Sequence, residues 1–204
     1  MEFEYQYMEQ TKNADYAIAL KVRKVLAGED FDESSSKFFG SPTLPASLLN
    51  AYPDDAFFLA QIRCEDLKDL DPEGRLPHEG YLYFFLDAEM YPNDDLYALL
   101  DHTTEEIAYI VDDFNDESPM GEGHSIPYAI TFEVVDAGYD GTKLLGYPNN
   151  DVDDNDDRAG LLLQYDPLDF DVPFLSTCDG YAFFFFGEDP EHKFVNADYV
   201  VWGS

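Results

Sequence analysis

Basic residues are scarce in this sequence. The 204-residue chain contains 11 Lys and Arg against 44 Asp and Glu, so its formal net charge at pH 7 is −33. A field of that sign repels nucleic acids and anionic membranes and attracts basic proteins. Two explanations of the charge stay open at this point: a basic partner, or an acidic composition that serves solubility, as in proteins of salty habitats.

Cysteine and histidine are too few to form a metal or disulfide motif. Cys64 and Cys178 lie far apart, which predicts buried thiols and no disulfide framework. The four histidines show no H-x-x-x-H spacing, and C-x-x-C does not occur, so a zinc site built from local motifs is not expected. We therefore expect no metal and no cofactor.

Long apolar runs are also missing. No run reaches the length of a membrane span, and the first ten residues, MEFEYQYMEQ, lack the basic and apolar regions of a secretory signal. A cytoplasmic location is the expectation. Aromatic residues, in contrast, are abundant: 17 Phe and 15 Tyr within a hydrophobic fraction of 45% predict one folded domain over residues 1–204.

Three short blocks occur twice, in the same order. They are KFFGSP (37–42) and KLLGYP (143–148), FFLAQI (57–62) and GLLLQY (160–165), and EGYLYFFLD (79–87) and DGYAFFFFGED (179–189). Conserved order at similar spacing is the signature of an internal repeat. The blocks predict two pseudo-symmetric halves, at about 37–87 and 143–189, with an acidic loop at about 112–123 between them.

Each block predicts a local structure. Gly40 and Gly146 permit a positive φ in the turn blocks, and the apolar runs at 57–62, 81–86, 161–165 and 181–186 predict strands. Further strands are expected at 128–135 and 198–202, whereas 105–111 fits either a helix or a strand. Gln61 and Gln164 are expected to be buried and to hydrogen-bond the backbone of the facing half.

The N-terminal region predicts a helix. Its apolar residues Ala14, Ala17, Ile18, Val22, Val25 and Leu26 follow helical spacing over 14–27. Asn13 suits the N-cap and Gly28 the position after the C-terminus. The expected fold class is therefore α+β and β-rich: a single domain with a pseudo-symmetric duplication of a strand-turn unit and an N-terminal helix.

The repeated blocks also carry a family resemblance. SKFFGSPTLP (36–45), FFLAQI (57–62), LPHEGYLYFFLD (76–87), KLLGYP (143–148), LLLQYD (161–166) and DGYAFFFF (179–186) resemble the bacterial YwqG-like family, a domain of unknown function. The resemblance implies an α+β fold with internal duplication and no established catalytic activity. It also implies a connection with bacterial toxin loci, in which some relatives resemble immunity proteins.

Catalytic motifs are nearly absent. Ser34 and Lys37 match S-x-x-K, but the companion motifs S-D-N and K-T-G do not occur. G-x-S-x-G, the P-loop and the dinucleotide fingerprint are also missing. His78 and His124 lie in Gly/Pro-rich loops and could act as a general base, although such histidines are more often exposed or bonded to backbone. We therefore expect no enzyme activity.

Acidic loops are the candidate partner-binding residues. The stretch NNDVDDNDDRAG (149–160) begins like a calcium loop, but the frame from Asp151 places Asp156 where glycine is needed and Leu162 where a glutamate is needed. Solvated loop charge is one explanation of the Asp-Asp pairs, and an acidic face for Lys and Arg of a partner is the other. The candidate residues on such a face are Asp54, Asp55, Asp112, Asp113, Asp116, Glu117, Asp151, Asp153, Asp154, Asp156 and Asp157.

Two functions remain in view from the sequence. The first is a non-enzymatic immunity protein that neutralises a basic bacterial toxin, such as a nuclease, through an acidic, aromatic-rich face. The alternative is an enzyme or small-ligand-binding protein with a site at the seam of the two halves, where Gln61, Gln164, Tyr81 and Tyr181 are the candidates.

Overall fold

The computed structural model describes residues 14–49, 56–87, 98–111, 123–149, 160–172, 180–187 and 202–203. These residues form strands joined by turns, with two short 3-10 segments at Cys64–Leu67 and Pro167–Asp169 and no α-helix. Within the same ranges, no helix has the length and apolar character of a membrane span. The strands are β1 (Tyr16–Lys24), β2 (Lys37–Phe38), β3 (Thr43–Leu44), β4 (Ala56–Arg63), β5 (Tyr81–Asp87), β6 (Ala98–Thr103), β7 (Tyr109–Ile110), β8 (Tyr128–Asp136), β9 (Lys143–Leu144), β10 (Leu161–Tyr165), β11 (Tyr181–Phe185) and β12 (Trp202–Gly203).

Ten of the described strands form one antiparallel sheet, in the order β12-β11-β10-β9-β1-β8-β2-β4-β5-β6. The long strands β1 and β8 pair along nine residues at its centre. On either side lies a two-residue strand, then a strand from the second sequence block, then one from the third. The first of the described strands, β1, borders β9, while β8 borders β2. A separate two-stranded ribbon consists of β3 and β7.

The expected N-terminal helix is wrong, and with it the α+β fold class. Residues 16–24 form the central strand β1, whose Ala17–Leu20 stretch is buried and whose Lys21 and Arg23 are exposed. From Leu20 to Lys24, burial alternates with a period of two, in a segment whose apolar residues also follow helical spacing. Helical propensity is a weak preference, and pairing with both β8 and β9 supplies hydrogen bonds along both edges of the strand. Asn13, the expected cap, lies outside the described residues.

Most of the strand predictions, unlike the helix prediction, agree with the structure. The apolar runs coincide with β4, β5, β10 and β11, and the strand predicted at 128–135 is β8, so these predictions are confirmed. In the ambiguous segment 105–111, only Tyr109 and Ile110 form a strand, β7. Of the strand predicted at 198–202, the structure describes the end, in β12. The acidic loop predicted at 112–123 lies outside the described residues except for Gly123.

The glycines of the two turn blocks adopt the predicted backbone conformation. Gly40 has φ 71° and Gly146 has φ 82°. The residues before them, Phe39 and Leu145, also have positive φ, which L-residues rarely adopt. A Cβ atom on Gly146 would lie 2.4 Å from the carbonyl oxygen of Ala137. Glycine is therefore required there by both conformation and space.

The large sheet curls until its two flanks meet. Strands β5 and β11 lie seven positions apart in the sheet, a separation of about 34 Å if the sheet were flat. Yet the rings of Phe84 and Phe184 on these strands contact each other edge to face, with centroids 5.3 Å apart. One face of the sheet thus surrounds a single hydrophobic core, to which both flanks contribute.

Aromatic rings fill the centre of that core. Phe170 follows the second 3-10 segment, and its ring centroid lies 4.9 Å from that of Phe38, 5.0 Å from Phe39 and 5.4 Å from Tyr128. Tyr165 stacks on Phe38 at 5.8 Å. These edge-to-face and stacked contacts connect β2, β8 and β10. Packed side chains therefore fill the space between the two flanks.

Candidate functional site

A row that begins with a lysine and a glutamine crosses each flank of the sheet in the same register. Lys37 pairs with Gln61, which pairs with Tyr83; on the other flank Lys143 pairs with Gln164, which pairs with Phe183. Cross-strand neighbours point to the same face of a sheet. Gln61 lies between Ala60 and Ile62, which belong to the central core, so these rows lie on the opposite, outer face.

Gln61 and Gln164 are fully buried and hydrogen-bonded. The side-chain oxygen of Gln61 accepts from the backbone N–H of Thr43 at 3.0 Å, and its amide nitrogen donates to the carbonyls of Glu33 and Ser35. The Gln164 oxygen accepts from the N–H of Asn149, and its nitrogen donates to Gly141. The expectation that these amides bond the facing half is wrong, because each one fastens the loop of its own half.

Two lysines that the sequence does not reveal as buried complete these rows. Lys143 is fully buried, and its Nζ donates to the carbonyl of Tyr139 at 2.6 Å, to that of Ala137 at 3.3 Å and to Asn149 Oδ1 at 3.0 Å. Burial lowers the pKa of Lys143 to about 8. Lys37, equally buried, donates to Glu33; burial lowers its pKa, and this carboxylate opposes the shift. The available signal was the recurrence of lysine at the head of both turn blocks.

Tyr81 and Tyr181 are the first residues of equivalent strands. Their hydroxyl groups hydrogen-bond the same two loops that the buried glutamines bond. The hydroxyl of Tyr81 donates to the carbonyl of Ser34 at 3.1 Å, and that of Tyr181 donates to the carboxylate of Asp140. Burial, followed by the contact with Asp140, raises the pKa of Tyr181 to about 12. The four seam candidates therefore fall into two pairs outside the central core: Gln61 and Tyr81 hydrogen-bond residues 33–35, and Gln164 and Tyr181 hydrogen-bond residues 140–141.

An open cleft lies in the first half, beside the start of β5. Its volume is about 670 Å³, and of the four seam candidates only Tyr81 lines it. The remaining lining residues are predominantly polar: Ser34, Glu65, Lys68, His78, Glu79, Gly80, Thr104, Glu105, Glu106 and Ile107. The four glutamates are exposed and face one lysine, so the cleft is acidic.

Close backbone packing forms the floor of this cleft. Gly80 has φ 80°, and a Cβ atom there would lie 2.1 Å from the carbonyl oxygen of Thr103, so β5 and the end of β6 can approach only with glycine at this position. The Glu65 carboxylate accepts from the N–H of Gly80 at 3.0 Å. One of the four carboxylates is thereby held in place by the cleft wall.

His78 enters the cleft from a buried hydrogen-bond network. Its Nε2 lies 3.2 Å from Asp71 Oδ2, and Asp71 is only 1% exposed. The same carboxylate accepts from the N–H of Leu76 at 2.7 Å and from the hydroxyl of Tyr16. Burial, reinforced by Asp71, raises the pKa of Tyr16. An imidazole held in this way by a carboxylate has a fixed orientation, the arrangement that a general base needs.

The other candidate histidine has different surroundings. His124 is fully buried, and its ring packs edge-on against Phe39 at 4.7 Å and Phe57 at 5.1 Å. Within the described ranges, no group of three or more His, Cys, Asp or Glu side chains could hold a metal ion. The eleven acidic residues predicted to meet a partner, from Asp54 to Asp157, all lie outside the described residues.

Fold and site together define a curled, all-antiparallel β-sheet protein with buried polar rows on its outer face and an acidic cleft on one flank. The family model described as "Domain of unknown function (DUF1963)" matches residues 36–133, slightly less than half of the chain. The match runs from the residue before β2 into β8 and includes every residue of the cleft except Ser34. No curated protein and no solved structure matches the chain.

Proposed function

We propose that this chain is a non-enzymatic binding protein for a basic protein partner and, more specifically, a YwqG-like immunity protein that neutralises a bacterial toxin. The observation that carries the proposal is the cleft of about 670 Å³ in which four exposed glutamates face one lysine. The family match is consistent with a YwqG-like protein. A cytoplasmic location is part of the same proposal, since the toxin would be met there.

Electrostatics favour a basic partner of this kind. A net charge of −33 steers a cationic protein towards the chain from a distance. A nuclease is the toxin class that fits best, because a surface that binds phosphates is itself basic. An acidic protein docked over such a surface would occupy the substrate groove and exclude the nucleic acid.

The direct test uses the product of the neighbouring gene. The purified product and this protein are titrated by calorimetry at low and at physiological salt, and the toxic activity of the product is measured with and without this protein. We expect a stoichiometric complex at physiological salt and loss of the toxic activity. An unrelated basic protein of similar charge is the control and should bind at low salt only. A neighbouring product that is neither toxic nor bound at physiological salt contradicts the proposal.

One observation favours a second candidate, a small-ligand site or an enzyme. His78, oriented by the buried Asp71, and Tyr81 both line the cleft. Thermal-shift screening of small cations and amines separates the two candidates. A ligand that stabilises the wild-type protein and not His78→Asn would favour the second, with Asp30→Asn as the control at an exposed site.

A further inference from the structure

Strand β6 is the outermost strand of the large sheet on its first flank. It pairs with β5 over all six of its residues, and within the described ranges no strand borders its other side. Natural proteins usually protect such an edge with a proline, a lysine, a bulge or a very short strand. The sequence of β6 is ALLDHT, and its register with β5 is regular, whereas the pairings of β4 with β5 and of β10 with β11 each contain an irregularity. The edge of β6 therefore lacks these protections and can accept a further strand.

The backbone of Gly80 shows how the hydrogen bonds of β5 are directed. Its carbonyl accepts from the N–H of Cys64 at 2.8 Å, so this residue, directly before β5, faces the side of β4. Successive residues of an antiparallel strand direct their N–H and C=O groups to opposite sides. Alternate residues of β5, beginning with Tyr81, therefore bond β6.

The same alternation shows which backbone groups of β6 point outwards. Leu99 lies opposite Phe85, whose backbone faces β6, so the backbone of Leu99 bonds β5. Leu100 lies opposite Phe84, whose backbone faces β4, so the N–H and C=O groups of Leu100 point away from β5. A strand added at this edge would be bound through such outward groups, with its side chains supplying the specificity.

Charge indicates which kind of strand this edge accepts. The strand itself contains Asp101 and neither lysine nor arginine, and the exposed residues Glu105 and Glu106 follow shortly after it. A second copy of the chain would bring a further charge of −33 to the edge, so repulsion opposes the pairing of two copies. A segment rich in lysine or arginine is attracted instead.

We propose that the edge of β6 binds an extended, basic segment of the partner protein as an additional strand of the sheet. Main-chain hydrogen bonds to outward groups such as those of Leu100 hold the segment, and its cationic side chains are attracted by the acidic residues around the edge. The inference rests on the proposed function and adds the mode of binding, which is the pairing of two backbones.

Amide exchange measured by NMR tests the pairing directly, with a heptapeptide of alternating lysine and valine as the probe. In the free protein we expect the amide of Leu100 to exchange faster than those of Leu99 and Asp101, and saturating peptide should slow it at least about tenfold. The same peptide with N-methylated central amides keeps the charge but cannot pair, so it should leave this exchange unchanged. Equal protection by both peptides, or a Leu100 amide that is already protected in the free protein, overturns the inference.

Two substitutions at one position separate the backbone from the side chain. Leu100→Pro removes an outward N–H and should weaken binding of the labelled peptide, measured by fluorescence anisotropy, at least about fivefold. Leu100→Val keeps the N–H and should bind within about twofold of the wild type. Thermal unfolding verifies that both variants fold, and Leu99→Pro, which removes a hydrogen bond to β5, should unfold at a lower temperature than Leu100→Pro. Wild-type affinity in Leu100→Pro contradicts the pairing.

The remaining outcomes separate this inference from the proposed function. A dimer of the free protein that Leu100→Pro dissociates, measured by light scattering, would assign the edge to a second copy and overturn the inference. If the toxin complex of the preceding section forms while the amide of Leu100 exchanges as in the free protein, β6 is not the contact and the proposed function stands. If no basic protein binds at physiological salt, the proposed function itself fails.

Discussion

At the scale of single residues, the buried lysines contribute to how stability responds to pH. Lys143 is the clearest case, since burial lowers its pKa to about 8 from an ordinary 10.5. Between these two values the unfolded chain binds a proton that the folded chain does not. The contribution of Lys143 to the free energy of unfolding therefore rises with pH in that window.

We accordingly expect Lys143 to add roughly 3 kcal/mol to the free energy of unfolding between about pH 8 and about pH 10.5. The measurement is urea denaturation at intervals across this range, for the wild-type protein and for Lys143→Met. The variant lacks the titrating group, so the difference between the two curves isolates Lys143 from Lys37, whose pKa shifts in the same direction. Parallel curves would exclude a buried, titrating ammonium.

The buried glutamines give a second prediction at this scale. Among the described residues, Gln61 makes four hydrogen bonds, to Thr43, Glu33 and Ser35, whereas Gln164 makes two. Replacement by leucine leaves these buried partners without their hydrogen bonds. Gln61→Leu should therefore destabilise the fold by about 2–4 kcal/mol, and Gln164→Leu by less. Chemical denaturation of the two variants side by side checks the order, and the reverse order contradicts the assignment of Gln61 as the stronger loop fastener.

At the scale of elements, a glycine substitution in the second turn block tests how closely the turn after β9 packs against its neighbours. Gly146→Ala combines a positive φ with a Cβ atom 2.4 Å from the Ala137 carbonyl oxygen, and we expect a loss of roughly 3 kcal/mol or more. Gly74→Ala is the matched control: its φ is 64°, and nothing lies within 4 Å of the added Cβ. That variant should lose about 1 kcal/mol, the conformational term alone. Equal losses in thermal or urea unfolding would refute the steric argument.

The elements also show where sequence patterns succeed and where they fail. Short apolar runs such as those in β4 and β10 predict strands correctly, because these strands are buried on both faces. The segment of β1 contains both a helical stripe and an alternating pattern. What decides between them is pairing with β8 and β9, which lie more than a hundred residues further along the chain. No local pattern contains that information.

The candidate site was predictable only in part, for a related reason. Tyr81 and His78 were recognisable as candidates from the sequence, yet their meeting in one cleft depends on Gly80 approaching Thr103 and on Asp71 lying beneath the imidazole. Glu105 and Glu106 could not be separated from the many other carboxylates by sequence, since solvent-exposed charge has no periodic signature. Lys37 and Lys143 head both turn blocks, but their burial follows from the loops that fold over them.

At the scale of the whole molecule, the net charge of −33 must oppose folding through self-repulsion. We expect the unfolding temperature to rise as sodium chloride is added, most steeply up to physiological ionic strength. At that ionic strength the repulsion between separated surface charges is already largely screened. Potassium chloride at equal ionic strength is the control and should act alike. Stability that keeps rising at molar salt would instead favour adaptation to a salty habitat, and stability that falls would contradict self-repulsion.

The position of β1 has a consequence for how the chain is made. This strand leaves the ribosome first among those described, yet both of its neighbours in the sheet, β8 and β9, follow residue 127. During synthesis β1 remains unpaired until most of the chain has left the ribosome. Contacts this distant in sequence slow folding, and the two flanks cannot mature one after the other. Strand β1 precedes the first half but pairs with β9 of the second, and β8 precedes the second half but pairs with β2 of the first. A gene divided between the two halves would therefore give two products that fold only by associating with each other.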